Sequence, residues 1–199
     1  MTDTETDYQP STVLRLRALA HPMRWKLIDL IESEGSATAT RCAEEFDESV
    51  ASCSYHLGIL SKYGYVEQVP HRTGREKPWR LTSTRQDLSA PASGADGELA
   101  AQAAGEAFLD HELERMKVRL RSLSHESPEW RDACSAGGSM MFVTAQELRE
   151  IKDELMSVLL RFEDRQTNPE LRPTNARRGR IFFSAYVDPN PNEPVRASR

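Results

Sequence analysis

Nothing in the 199-residue chain approaches the roughly 18 consecutive apolar residues of a membrane span. Met1 to Pro10 is acidic and polar, the opposite of a signal or transit peptide. A membrane-bound or secreted protein is therefore not expected, and a cytoplasmic one is. Cysteine is scarce: Cys42, Cys53 and Cys134 are odd in number, widely spaced, and form no Cys-x-x-Cys or Cys-x-Cys pair. That pattern excludes a disulfide framework and fits reduced thiols. Also missing are a glycine-rich phosphate loop, a nucleophile elbow and a His/Glu metal pair, so neither an enzyme nor a cofactor is expected. The formal charge of −5 at first argues against nucleic acid, so charge has to be read locally.

What is present falls into four parts separated by two changes of composition. Residues 1–10 read as a frayed tail. Residues 11–88 are compact and patterned. The run Ser89 to Gly97 is small, polar and helix-breaking, and reads as a linker. Long helices return over 98–187, and 188–199, rich in proline and asparagine at its start, reads as a second disordered tail. No internal repeat is visible.

Within 11–88 the punctuation is explicit. Ser11 can cap a helix carrying Leu16, Leu19 and Ala20 on one face. His21-Pro22 breaks it, since proline disfavours a helical residue before it and suits the first turn of a new helix. The second helix, from Pro22 to about Ser33, directs Met23, Leu27, Leu30 and Ile31 inward, and Gly35 stops it. A short helix over Thr38 to Phe46, with Ala39, Cys42, Ala43 and Phe46 inward, and the turn Asp47-Glu48-Ser49 lead to a fourth helix, Val50 to Tyr63. Beyond Gly64, Tyr65–Val69 and Lys77–Leu81 read as strands joined by the basic tip His71 to Arg75. This is the order of a winged helix-turn-helix.

On the fourth helix Val50, Cys53, Leu57 and Leu60 fall together as the expected core face. The opposite face holds Ala51, Tyr55, Gly58 and Lys62, flanked by Ser52 and Ile59. Small residues with one aromatic and one lysine suit a helix entering a major groove: Ala51 and Gly58 permit close approach, Ser52 and Tyr55 can donate to bases or phosphates, and Lys62 meets phosphate. An ordinary solvated face would carry more charge. Local charge agrees. Between Ser49 and Arg85, six basic residues (Lys62, Arg72, Arg75, Lys77, Arg80, Arg85) stand against Glu67 and Glu76, a surplus of four positive charges in a negative protein. Arg72 and Arg75 at the wing tip are placed to reach a minor groove or its phosphates.

Leu19-Ala-His-Pro-Met-Arg24, followed by Leu27 and Leu30, resembles the opening signature of ArsR-type winged-helix repressors. Ser52-Cys-Ser-Tyr-His-Leu-Gly-Ile-Leu-Ser-Lys-Tyr-Gly-Tyr-Val66 resembles that family's recognition helix and approach to the wing, and Gly74 to Leu81 its returning strand. The resemblance covers about residues 12 to 85. It implies a dimeric DNA-binding transcription factor with Ser52, Ser54, Tyr55 and His56 on the recognition helix. The candidate DNA-contacting set is thus Ser49, Ala51, Ser52, Ser54, Tyr55, His56, Gly58, Lys62, Arg72, Arg75 and Lys77. The chain departs from the metal-sensing members, which carry paired cysteines or acid/histidine clusters. Cys42 and Cys53 both fall on core faces, thiolate sites need several converging sulfurs, and no metal is expected. His56 lies at the edge of the buried face and reads as a partly buried histidine rather than a ligand.

In the second half Leu109, Leu113, Met116, Leu120 and Leu123 recur at spacings of 4, 3, 4 and 3, the seam a two-helix interface needs, with intramolecular packing left open. Thr144-x-x-Glu147 is a capping box opening another helix with Leu148, Ile151, Leu155, Val158/Leu159 and Phe162 on one stripe. Met140–Val143 before it and Ile181–Val187 after it read as strands. The expected class is mainly α (α+β): a winged helix-turn-helix, a long-helix dimerisation region, and a small strand–helix–strand unit. That unit resembles an extension found on actinobacterial-type members, which implies dimerisation or sensing of a small-molecule effector. Trp130, Phe142, Phe182 and Tyr186 are expected to pack as core, with an apolar pocket as the other reading. Arg172, Arg177, Arg178 and Arg180 read as a solvated loop rather than a second DNA contact. The leading functional expectation is a homodimeric regulator, repressor or activator, on an inverted-repeat operator. A second reading keeps the fold but makes it a protein–protein interaction module without specific DNA binding.

Overall fold

The computed structural model describes residues 11–70, 76–83 and 94–188. Local capping chemistry sets the helices. Ser11 accepts from the Leu14 N–H and opens α1, Thr12–Leu19. His21 caps α2, Pro22–Glu34, through its Nδ1, which accepts from the Met23 N–H at 3.2 Å, with Pro22 in the first turn. Gly35, at φ 78°, ends it where a side chain would be strained. Thr38 caps α3, Ala39–Phe46, and Ser49 caps α4, Val50–Lys62, by accepting from the Ser52 N–H at 3.0 Å. Asp47, at φ 53°, makes the left-handed step between α3 and α4 that aspartate tolerates better than most residues.

The wing is one antiparallel pair, β1, Val66–Gln68, and β2, Trp79–Leu81, with Glu67 opposite Arg80. Trp79 is also bridged to Ala37, N–H to carbonyl in both directions at 3.0 and 2.8 Å, so the returning strand is pinned between β1 and the segment before α3. The expected tip, with Arg72 and Arg75, lies outside the described residues.

The core is built from α1 to α4 and β1. Leu27, Ile31, Leu57 and Leu60 are fully buried, and each contributes about 1.5–3 kcal/mol by leaving water. Trp25 and Ile28 join the predicted α2 residues inside. Arg24 and Trp25 close the C-terminal end of α1: Arg24 Nη1 donates to the Ala18 carbonyl at 2.7 Å and Trp25 Nε1 to the Leu19 carbonyl at 2.8 Å.

The long helix α5, Ala95–Ser122, packs on α1 and α2 and belongs to the same body. Its inward face is made of small residues, Gly97, Ala100, Ala104 and Ala107, which let the backbones approach. Phe108 lies against Trp25 with ring centroids 4.9 Å apart, and Asp29 of α2 pairs with both His111 and Arg115. Two expectations change here. Ala95 to Gly97, assigned to a linker, are helical, and the chain divides after α5, into Met1–Arg131 and Asp132–Arg199. The alanine face ties α5 to the winged helix more firmly than the small, polar run before it suggests.

In the second unit α7, Ala145–Leu160, opens on the expected capping box, Thr144 and Glu147 bonding reciprocally at 2.7 and 3.2 Å. Two short turns of helix follow, α8, Asp164–Thr167, and a 3₁₀ turn at Pro169–Leu171; α6, Pro128–Ala133, precedes. The expected strands at 140–143 and 181–187 are absent: neither segment has a ladder partner among the described residues, and an apolar run without one has nowhere to place its N–H and carbonyl groups in a sheet. Phe142 and Tyr186 stand exposed, so the expected aromatic packing is not formed there either. No residue of 132–188 whose burial is described is buried. Arg172 of the basic cluster closes back on the carbonyls of Arg165 and Gln166 at 2.6 and 2.9 Å.

Candidate nucleic-acid interface

α4 is sealed on one side and open on the other. Cys53, Leu57 and Leu60 are fully buried. Ala51, Ser54, Tyr55, Gly58 and Lys62 are exposed, with Ser52 and Ile59 half-buried at the margins. Tyr55 is 62% exposed, and a Cβ added at Gly58 would meet nothing within 4 Å. A glycine inside a helix costs roughly 1 kcal/mol relative to alanine. Among the described residues no side chain packs against Gly58 to offset that cost, and the backbone there is open.

Three candidates on or beside this helix differ from expectation. Val50 is 44% exposed rather than core, because it occupies the first turn, before the helix settles onto its neighbours. Ser49 spends its hydroxyl oxygen on the Ser52 N–H, so its role in this structure is to start the helix. His56 points inward. It is buried, its ring centroid lies 4.4 Å from that of His21, and its Nδ1 has no hydrogen-bond partner. A buried His56 is not presented to a groove, and the α2 cap that draws it inward was not visible in the periodicity of α4.

A shallow open groove of about 420 Å³ runs between α4, the start of α3 and the wing, bordered by Ser54, Lys77, Gln68 and Trp79. The wing's two acids do not oppose a polyanion as their number suggests. Glu76 accepts from the Thr40 N–H at 3.0 Å, which satisfies the first turn of α3, and Glu67 is paired with Arg80 across the hairpin at 2.7 Å. The pairing also removes Arg80 from the free positive charges. Lys62 and Lys77 make no ion pair among the described residues. The Lys62 ammonium lies 5.5 Å from the Tyr63 ring centroid.

Of the predicted seam, Leu109, Leu113 and Leu120 of α5 are exposed and Met116 and Leu123 half-buried. Helix α5 uses its alanine face for its own packing, and among the described residues the leucine face is left largely exposed. The contacts of Asp29 with His111 and Arg115, inside the α2–α5 junction, were missed by sequence reasoning. Their signal is the alanine spacing at 100, 104 and 107, which turns His111 inward one helical turn later.

Cys42 and Cys53 are fully buried, and burial pushes the Cys42 thiol to about 12 and raises Cys53 also. Both therefore act as small apolar side chains rather than thiolates at neutral pH. Among the described residues no group of three or more His, Cys, Asp or Glu is placed to hold a metal ion, and no helix is long and apolar enough to cross a membrane.

No curated protein matches the chain. A family model described as a helix-turn-helix domain matches residues 19–69, the stretch from the end of α1 through the wing's first strand, so this part of the chain is a helix-turn-helix domain of the kind that DNA-binding regulators carry.

Proposed function

We propose that the protein is a homodimeric, sequence-specific transcriptional regulator of ArsR-like type, in which each copy lays α4 in a major groove of an inverted-repeat operator. The observation that carries this reading is the open face of α4: Ala51 and Gly58 keep it low, Ser54 and Tyr55 supply donors, and Lys62 stands at its end. Ser52 sits at the margin and contributes from there. Lys77 of the wing, with Arg72 and Arg75 assigned from the sequence, takes the adjacent backbone. The exposed Leu109–Leu113–Leu120 face supports pairing of two copies through α5. Recognition helices in such dimers stand about one helical turn, roughly 34 Å, apart.

Phosphate contacts make affinity fall with salt, by a slope of about 0.9 per neutralised phosphate. Lys62→Gln and Lys77→Gln are each expected to weaken binding to all duplexes alike and to reduce the salt slope by about 1, measured by fluorescence anisotropy across a salt series. An unchanged slope in both variants removes the groove and wing assignments.

A further inference from the structure

The recognition helix meets the start of α2 through two imidazoles, and that of His56 is placed so that a proton is unwelcome. His56 projects from α4 into the interior and lies against His21, the two rings tilted at 43° with centroids 4.4 Å apart. Its Nδ1 is buried with no hydrogen-bond partner among the described residues, so a proton there meets no acceptor from them. His21 is the N-cap of α2, and it caps by accepting: its Nδ1 lone pair takes the Met23 N–H at 3.2 Å.

The surroundings add to this. From α2, Arg24 bears on His56 together with His21, and its guanidinium is fixed to the Ala18 carbonyl at 2.7 Å. On α4 itself Tyr55 meets His56 edge-on at 5.2 Å. Glu48, in the turn before α4, acts in the opposite sense and more weakly.

We propose that the His21–His56 contact is a proton switch on DNA reading: with His56 neutral α4 is seated against α2, and a proton taken up there unseats α4 and releases DNA in mild acid. The inference rests on the DNA-reading role of α4. Burial first, and then His21 and Arg24, hold His56 below the ordinary histidine value. A histidine depressed in the seated form stabilises that form above its unfolded value of about 6.5, and the stabilisation is lost as pH falls through 6.5 toward the depressed value. The sign is therefore release on acidification, opposite to the gain in affinity expected where a histidine simply meets phosphate.

Two readouts on the full chain test the switch. At fixed ionic strength, affinity for duplex DNA is expected to fall between pH 7.5 and 5.5, by up to about tenfold, the limit for one proton titrating across 6.5. Without DNA, the protection factors of the α4 amides, corrected for the intrinsic pH dependence of exchange, are expected to fall over the same range while those of α5 hold. His21→Asn keeps a good N-cap but removes the imidazole, and His56→Gln removes the other. Each is expected to flatten both profiles to less than about a twofold change. Should His56→Gln fail to fold, His21→Asn carries the test, because it leaves α4 untouched. Affinity that holds or rises in acid, or a fall that persists in His21→Asn, overturns the switch. If no duplex is retained at any pH, the DNA-reading role fails, and α4 exchange alone decides whether the pair senses protons: unaltered exchange overturns it.

Discussion

Gly58→Leu is expected to lower DNA affinity by on the order of 100-fold or more while leaving the protein as stable as before or more so, by up to about 1 kcal/mol. The stability half follows from the free molecule. Gly58 lies in the middle of α4, is exposed, and has open space where its side chain would be. Leucine is a far better helix former there. The affinity half follows from the proposed docking, in which the backbone at Gly58 lies close to the groove floor, and an isobutyl group lifts the helix away from several contacts worth about 1–3 kcal/mol each. Gly58→Ala is the graded companion, with the full gain in helix stability and a smaller loss of affinity. Thermal unfolding and a binding titration on the same preparations read both quantities. A leucine variant that binds DNA as tightly as the parent places the groove elsewhere.

Leu113→Glu combined with Leu120→Glu is expected to convert a dimer into a folded monomer of 22.5 kDa. Both leucines are about half exposed, at 46% and 52%, so the substitutions cost little in one copy. In a paired α5 they bury four carboxylates in an apolar seam. Operator affinity should fall with the dimer, by a factor on the order of 10²–10⁴, since two half-sites then bind separately rather than through one linked molecule. Light scattering and a binding titration measure the two effects. A variant that remains dimeric assigns pairing to another surface, and a parent that is monomeric at operator-binding concentrations removes the symmetric reading altogether.

How much of this is visible in the sequence depends on how local the determinant is. Ser11 caps the helix it is expected to cap, Pro22 starts α2 and Gly35 stops it, because each acts within one turn of its own position. The exposed face of α4 is legible for the same reason: its periodicity is strong, Val50 was misplaced, and His56, read as an edge residue, lies inside. An edge residue is decided by what a neighbouring element brings to it, and for His56 that is the cap of α2.

Non-local features were less visible. The leucine seam on α5 drew attention as the apolar repeat, yet the alanine face does the intramolecular packing, because small side chains carry a weak hydrophobic signal while allowing the closest helix approach. Met140–Val143 and Ile181–Val187 have the composition of strands without the partners, and pairing is a property of two segments that one segment's composition does not report. The neutralisation of Glu67 by Arg80 and the use of Glu76 on α3 likewise needed the hairpin to be in place.

The most direct test of the central claim, that α4 and the wing read DNA as a symmetric pair, is selection of bound sequences from random duplex DNA at two salt concentrations. The account predicts enrichment of an inverted repeat with half-sites about one helical turn apart, and weaker retention of all sequences at the higher salt. No enrichment, with no retention even at low salt, would contradict it and leave the winged helix as a surface for binding another protein.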